Sequence, residues 1–290
     1  MNSWILAIRL KTLTAAIIPV GLGSALAWSM EGILHWIAAL LCLIFAILVQ
    51  IGTNFANDYF DFIKGTDTAE RLGPTRMVAA GLIKPEVMRR ATWIVLSIAA
   101  VVGFSLVIFG EWWLFIFVAL SIFFAVVYTG GPYPLAYLGL GDVFVFLFFG
   151  LVAVVFTFFI QTGYFSWASL WTGVGVGTLT TNILVVNNYR DADTDVQTGK
   201  KTLAVRFGRC FTLWQYHINF FLSLVVCGIL FVEESSWWLL LPVVLIPEHL
   251  RLSRLMARAK IRVEFNAVLN GTARLLVFYG ALLGLGILAS

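Results

Sequence analysis

The sequence predicts an all-α, polytopic membrane protein, and three observations carry that prediction. Of the 290 residues, 61% are apolar and only 12% are charged, and the mean hydropathy is +0.95. A soluble domain carries about 25% charged residues, and a chain of this length cannot bury so much apolar surface in one core. The apolar residues also form runs long enough to cross a bilayer, with the basic residues between them.

Nine apolar runs are candidates for transmembrane helices, each of which needs about 20 residues. In chain order they cover residues 13–29, 34–55, 87–109, 112–128, 143–160, 170–186, 211–231, 237–247 and 273–289. The eighth run is the shortest and contains Pro242 and Pro247, which membrane helices tolerate when their neighbours satisfy the freed backbone groups. No linker interrupts the series, so residues 1–290 are predicted to form a single membrane domain.

The basic residues test this count of spans. With nine spans, all 19 lysines and arginines lie on the side of the N-terminus, in the connections or at the adjoining span ends. The opposite connections hold four glutamates and no basic residue. The positive-inside rule makes the basic side cytoplasmic. We therefore expect a multi-pass protein of the inner (cytoplasmic) membrane, with its N-terminus inside and its C-terminus outside. The basic pI of about 9.0 then reflects contact with the lipid bilayer and not with nucleic acid, and no obligate protein partner is implied.

Two acidic clusters follow the second and the sixth span. Asn57 and Asp61 are four residues apart, as are Asp191 and Asp195. If the span helices continue through these clusters, each pair projects from one helix face. Oxygen ligands of this kind suit Mg²⁺, which proteins often hold with a few carboxylates and substrate phosphates. The alternative, ordinary solvated loops with helix caps, explains one such cluster better than two at equivalent positions.

Basic residues near the clusters complete the candidate site. Phosphate partners close to the acidic motifs are Lys64, Arg71, Arg76, Lys200 and Lys201. Lys11 is placed to reach an acidic substrate or, alternatively, to anchor the first span.

The three histidines are isolated in sequence and are interpreted as core or interface residues. The glycines at 173, 175 and 177 favour close helix packing over a nucleotide loop.

Three long motifs resemble the UbiA superfamily of intramembrane prenyltransferases. They are NDYFDFIKGTDTAERLGPTR at 57–76, YTGGPYPLAYLGLGD at 128–142 and NNYRDADTDVQTGKKTLAVRFG at 187–208. Within that superfamily they are most similar to the branch that prenylates 1,4-dihydroxy-2-naphthoate. The resemblance implies a nine-helix bundle around a central cavity, with cap loops over its cytoplasmic mouth.

The resemblance also implies the roles of individual residues. Asn57, Asp61, Asp191 and Asp195 would hold Mg²⁺ and, through it, a polyprenyl diphosphate. The three aspartates and Tyr128 are the expected catalytic residues, with Tyr128 lining the site; the alternative is that Tyr128 is an interfacial tyrosine. The superfamily's usual third aspartate is replaced by Gly65, so a ligand role for the nearby Asp67 stays open, as it does for Asp58. Substrate contacts are expected from Lys11, Lys64, Arg71, Arg76, Asn188 and Lys200.

The expected reaction is Mg²⁺-dependent prenyl transfer from a polyprenyl diphosphate to 1,4-dihydroxy-2-naphthoate, with loss of the carboxyl group. Lys64 and Lys200 closely follow the acidic motifs and are assigned to the diphosphate. Arg76 is assigned to the carboxylate of the acceptor, because a guanidinium can bind it with two parallel hydrogen bonds; the alternative is that Arg76 only holds its loop or touches phosphate. Another aromatic acceptor, or a transporter or lipid-binding role, remains the alternative function.

Overall fold

The computed structural model of the chain describes residues 3–32, 34–67 and 75–290, and over these ranges the fold is helical, with no β-strand. Arg71 lies outside the described residues. The α-helices are α1 (Ser3–Ile8), α2 (Thr14–Glu31), α3 (Trp36–Ile63), α4 (Pro85–Ser105), α5 (Leu114–Val127), α6 (Gly141–Phe146), α7 (Ala153–Thr162), α8 (Trp167–Gln197), α9 (Leu203–Glu234), α10 (Ile246–Arg258) and α11 (Arg262–Ala289). A π-helical segment, Leu147–Val152, joins α6 to α7, and a 3-10 helix, Trp237–Leu245, leads into α10.

Several of these helices are long and apolar enough to cross a membrane. Six segments within the described ranges meet that criterion, and the pair Ser3–Thr12 and Thr14–Glu31, bent by 47°, makes a seventh if it is one span. The predicted fourth and eighth spans correspond to α5, which has 14 residues, and to the 3-10 helix Trp237–Leu245, both too short for the criterion. The multi-pass architecture is confirmed, and the count of nine passes stays a prediction.

α8 is the inner helix of the bundle. Its most apolar window has the lowest mean hydropathy of the six candidate spans, 1.3, yet 78% of that window is buried, against 22–50% in the other five. Threonine hydroxyls in this helix donate to carbonyls of the preceding turn, as Thr178 does to Gly175 and Thr181 to Gly177. A helix surrounded by protein can carry such side chains, because they do not face hydrocarbon.

Glycines allow the π-helical segment to pack directly on α8. A Cβ atom on Gly150 would lie 2.5 Å from Cα of Gly177 and 2.6 Å from the carbonyl oxygen of Gly173, so only glycine fits there. The packing role predicted for the glycines of α8 is confirmed at these positions. The predicted fifth span, residues 143–160, lies within the candidate span Gly141–Thr162, which consists of α6, the π-helical segment and α7. This local irregularity arises where the two backbones meet, which the sequence pattern of one span does not record.

The histidines correct one expectation. His217 and His249 are not isolated, because Nδ1 of His217 lies 2.9 Å from Nε2 of His249 across the α9–α10 contact. The His249 ring is 0% exposed and stacks on Phe220, with ring centroids 4.0 Å apart and an interplanar angle of 3°. The core position expected for these histidines is confirmed for His249.

Candidate active site

A cavity of about 480 Å³ lies between α2, α3, α5, α6, the π-helical segment and α8. One part of its wall is polar and carries the acidic motifs. The rest is mainly apolar and aromatic. Its aromatic walls come from α5, α6 and the π-helical segment, and they include Phe124, Tyr128, Phe144, Phe148 and Phe149. The cavity therefore combines a charged end with an apolar interior.

The acidic motifs lie within helices and line this cavity together. α3 extends to Ile63 and carries Asn57 and Asp61, and α8 extends to Gln197 and carries Asp191 and Asp195. All four residues border the cavity, and the three aspartates are buried. Spacing by four residues therefore places each pair on one helix face, as the sequence predicted.

Asp61 is the centre of a hydrogen-bonded charge network. It is 1% exposed. Nη2 of Arg76 donates to its Oδ2 at 2.9 Å, and the hydroxyl of Tyr137 donates to its Oδ1 at 2.7 Å. Nζ of Lys200 lies 3.5 Å from the same Oδ1. A buried carboxylate requires such partners, because an isolated charge at this depth is strongly unfavourable.

Asp58 explains how Arg76 reaches Asp61. Its two carboxylate oxygens accept the backbone N–H groups of Met77 and Val78 at 3.0 and 3.1 Å, which fixes the turn immediately after Arg76. Asp58 does not line the cavity, so it supports the loop. Asp67, whose ligand role was open, also lies outside the lining, with Oδ1 3.4 Å from Nε of Arg76.

Arg190 forms a second charge pair on α8. Its Nε and Nη2 donate to Oδ1 and Oδ2 of Asp191, both at 2.7 Å, so the guanidinium binds the neighbouring carboxylate in bidentate fashion. Arg190 is 2% exposed and borders the cavity. In each acidic motif, one aspartate thus forms a salt bridge with an arginine.

Tyr137 connects the two lysines that follow the acidic motifs. The Nζ atoms of Lys64 and Lys200 each lie 4.7 Å from the centroid of its ring. Burial, and secondarily the charge of Asp61, raises the pKa of the Tyr137 phenol, so it stays protonated as the donor to Asp61. Because α8 ends in a left-handed turn at Gly199, the chain reverses and brings Lys200 to the cavity wall.

Lys64 does not line the cavity. Its Nζ donates to the carbonyl oxygens of Thr129 and Gly131, at 2.7 and 3.3 Å. Partial burial lowers the pKa of this lysine, and the charge of Asp61 partly offsets that effect. In this structure Lys64 fixes the loop after α5 to the end of α3. Thr129 in turn donates to Oδ1 of Asn57 at 2.7 Å, which orients one of the predicted ligands.

The N-terminal turn brings two more basic residues to the cavity. Arg9 has a left-handed backbone, with φ 55°, and both Arg9 and Lys11 border the cavity. Asn54 of α3 stabilises the turn, because its Nδ2 donates to the carbonyl oxygen of Ile8 and to Oγ1 of Thr12, at 2.8 and 2.9 Å. A non-glycine residue in this conformation is unfavourable and persists where surrounding contacts require it.

The sequence analysis named most of the residues that meet here, but not all of them. Asn57, Asp61, Asp191, Asp195, Tyr128, Arg76, Asn188, Lys200 and Lys11 share the cavity wall. Tyr137 and Arg190 were not assigned site roles. Both lie inside the quoted motifs, and Arg190 directly precedes a predicted ligand, so those motifs were the available signal.

The donor set fits Mg²⁺ that is bound together with an anionic ligand. Within the described ranges, no three acidic, histidine or cysteine side chains gather closely enough to hold a metal ion by themselves. The three carboxylates are buried and border one cavity, and Asp61 and Asp191 are paired with arginines. This set suits a metal that arrives with an anionic ligand, because the ligand supplies further oxygens and an alternative partner for the arginines.

A second, smaller cavity of about 100 Å³ adjoins the first. Val49, Ser121, Phe148 and Phe149 line both cavities. The walls of the second are almost entirely apolar and come from α2, α3, α5, the π-helical segment and α7. It therefore extends the apolar part of the site away from the aspartates.

Comparison with known proteins agrees with this geometry. Residues 16–263 match the UbiA prenyltransferase family. The chain is 37% identical, over 95% of its length and 92% of the relative's, to 1,4-dihydroxy-2-naphthoate octaprenyltransferase of Mycobacterium leprae. It is 35% identical to the protein of that name from Escherichia coli, over 100% of this chain and 96% of the relative.

A solved structure shares the fold. The UbiA homologue from Archaeoglobus fulgidus bound to GPP and Mg²⁺ superposes with a TM-score of 0.67 at 14% identity, covering 99% of this chain and 100% of the homologue. The family match covers most of the chain and includes both aspartate motifs. The protein is therefore a membrane-embedded member of the UbiA prenyltransferase family.

Proposed function

We propose that the protein transfers a polyprenyl group from a polyprenyl diphosphate to 1,4-dihydroxy-2-naphthoate, with release of diphosphate and CO₂. The observation that carries the proposal is one cavity with buried carboxylates, guanidinium groups and a lysine at one end and aromatic walls at the other. The charged end suits a metal–diphosphate, and the apolar part suits a prenyl chain and an aromatic ring. The name of the two bacterial relatives supports the same pair of substrates.

Asn57, Asp61, Asp191 and Asp195 would hold Mg²⁺ in this proposal. When bound, Mg²⁺ supplies positive charge that stabilises the departing diphosphate. The homologue from Archaeoglobus fulgidus, whose structure contains GPP and Mg²⁺, supports this cofactor. The four residues come from two helices, so the ligand set depends on the packing of α3 against the rest of the bundle.

The basic side chains that contact the aspartates are the proposed partners of the diphosphate. Arg76, Arg190 and Lys200 all border the cavity and contact Asp61 or Asp191. Arg76 was assigned to the acceptor carboxylate from sequence. Its contact with Asp61, a proposed metal ligand, supports a role at the diphosphate instead. Charge-assisted hydrogen bonds from these groups strengthen as the C–O bond breaks and negative charge collects on the leaving group.

The aromatic walls stabilise the other product of that cleavage. The allylic carbon becomes cationic as the diphosphate departs, and the rings of Phe124, Phe144 and Phe148 line the adjoining cavity. An aromatic face attracts a cation by about 0.5–2 kcal/mol. The apolar walls also exclude water, which would otherwise capture the cation.

Arg9 and Lys11 are the proposed partners of the acceptor's carboxylate. They lie on the turn that Asn54 stabilises, at the N-terminal side of the cavity. The electron-rich ring attacks the allylic cation at the carbon that bears the carboxylate. A C–C bond forms there, the bond to the carboxylate breaks, and its electron pair returns to the ring as CO₂ leaves.

The second cavity is the proposed entry for the prenyl tail. Its volume of about 100 Å³ is smaller than the roughly 150 Å³ cavity that accommodates benzene, so it has room for about one five-carbon unit. Ala46 lines this cavity and not the first. Replacing Ala46 with Phe should lower kcat/KM for a long-chain donor and leave kcat/KM for dimethylallyl diphosphate unchanged. The same fractional change in kcat/KM for both donors would refute this path.

The proposed arrangement in the membrane has nine passes, the N-terminus inside and the site on the cytoplasmic side. Both acidic motifs lie at the C-terminal ends of long helices, α3 and α8, and basic residues follow each of them. In this arrangement the charged end of the cavity would face the cytoplasm, from which Mg²⁺ and the diphosphate head group would enter.

The experiment uses purified protein in lipid, supplied with an octaprenyl diphosphate and 1,4-dihydroxy-2-naphthoate. We expect a prenylated naphthoquinol and one CO₂ for each diphosphate released, and no product after Mg²⁺ is chelated. A parallel panel of aromatic acids tests the acceptor: turnover only with another acid would correct the acceptor, and no prenyl transfer to any acid would reject the proposed activity in favour of a transport or lipid-binding role.

A further inference from the structure

Arg190 occupies a carboxylate that the proposed function requires for metal binding. Its Nε and Nη2 take both oxygens of Asp191, each at 2.7 Å. A guanidinium bound in this way neutralises the carboxylate and takes one of the lone-pair sites on each oxygen, so Asp191 is a weaker metal ligand until the pair is released. The guanidinium and the metal therefore compete for the same group.

The third guanidinium nitrogen of Arg190 indicates which ligand could release the arginine from Asp191. Nη1 is buried and has no hydrogen-bond partner among the described residues, although Arg190 borders the cavity. A buried donor without an acceptor is unfavourable. Oxygens of an anion bound in the cavity would satisfy it.

Arg76 repeats this arrangement on the other acidic motif. Its Nη2 donates to Asp61 at 2.9 Å, and its Nη1 is also buried without a hydrogen-bond partner within the described ranges. Arg76 and Asp61 come from the segment around α3, whereas Arg190 and Asp191 lie on α8. Two independent parts of the chain thus place an incompletely bonded arginine on an aspartate of the same cavity.

We propose that Arg190 is an exchangeable counter-ion, which neutralises Asp191 while the site is empty and moves to the diphosphate when metal and diphosphate bind. This inference rests on the proposed function for the identity of the ligands. Its consequence is mutual dependence: metal alone must displace a bidentate guanidinium, whereas metal with diphosphate gives that guanidinium a new partner. By linkage, each ligand then raises the affinity for the other by the same factor.

The test separates metal binding from diphosphate binding in Arg190→Gln. Mn²⁺, added without any diphosphate, is titrated at pH 8 and followed by electron paramagnetic resonance of the free ion. Geranyl diphosphate binding is measured separately, at saturating Mg²⁺, from the shift of the thermal unfolding midpoint. We expect Mn²⁺ to bind Arg190→Gln about tenfold more tightly than wild type, and geranyl diphosphate about tenfold more weakly, since coupling between sites is typically 5–150-fold.

Arg209→Gln is the matched control. Arg209 also pairs with an aspartate, its Nη2 lying 3.0 Å from Oδ2 of Asp193, but this pair is largely exposed and does not line the cavity. The variant removes the same charge without freeing a proposed ligand, so both affinities should stay close to wild type. Arg190→Lys keeps the charge and loses the bidentate geometry, so it should give intermediate values and serves if Arg190→Gln does not fold.

The outcomes are distinct. Weaker binding of both ligands by Arg190→Gln would mean that Arg190 only supports the fold, and unchanged Mn²⁺ affinity with weaker geranyl diphosphate binding would make it a plain diphosphate ligand; either result overturns the exchange. Neither measurement contains an aromatic acceptor. Failure of prenyl transfer to 1,4-dihydroxy-2-naphthoate would therefore reject the proposed reaction without affecting these two affinities.

Discussion

Gly150→Ala tests how the π-helical segment positions the aromatic wall. The added Cβ would lie 2.5 Å from Cα of Gly177 and 2.6 Å from the carbonyl oxygen of Gly173. Both contacts are with the backbone of α8, so no side-chain rotation can relieve them. Carbon atoms pack at about 3.5–4.0 Å, and the two backbones must therefore separate by about 1 Å.

The expected cost follows from that displacement. Overpacking of a closely packed contact costs about 1–3 kcal/mol. Gly228→Ala in α9 is the matched control, because nothing lies within 4 Å of its added Cβ, and alanine is favoured over glycine in a helix by up to about 1 kcal/mol. At about 2–4 °C per kcal/mol, we expect Gly150→Ala to unfold several degrees below Gly228→Ala.

Gly150→Ala should also lower kcat/KM, and by more than its modest loss of stability would suggest. Phe148 and Phe149 lie in the same π-helical segment and line both cavities. A misplacement of about 1 Å can reduce the rate by roughly 100-fold even when the change lies outside the reacting groups. The assay compares kcat/KM and the unfolding midpoint of the two variants in the same detergent. If Gly150→Ala matched Gly228→Ala in both, this account of the contact would be wrong.

Three further changes test the site and the topology. Asp61→Asn should abolish most activity while the protein still inserts, because the carboxylate lines the polar part of the cavity and not a lipid-facing surface; near-normal turnover would remove Asp61 from the metal site. Arg76→Lys should raise KM for the prenyl diphosphate more than KM for the acceptor, since lysine cannot reproduce the geometry of a guanidinium; kinetics with each substrate varied in turn would return Arg76 to the acceptor if the order were reversed. A reporter fused after Ser290 should score as outside the cytoplasm, and a cytoplasmic signal would contradict the nine-pass topology.

The ionic pairs show where sequence reasoning stops. The i, i+4 spacing of Asp191 and Asp195 was sufficient to predict a shared helix face, because that relation is local and fixed by 3.6 residues per turn. The pairing of Arg76 with Asp61 was not predictable in the same way. It depends on the turn that Asp58 caps after residue 76, and thus on contacts between segments.

The sequence by itself determined the membrane class, the positions of the long helices and the two helix faces that carry the aspartates, because hydropathy and helical periodicity are properties of short stretches of chain. Only the tertiary structure decided that the π-helical segment meets α8 at Gly150, that Tyr137 and Lys200 converge on Asp61, and that a second cavity continues the first. Each of these features involves residues from different elements, and which side chains meet there is set by how closely whole helices can approach one another.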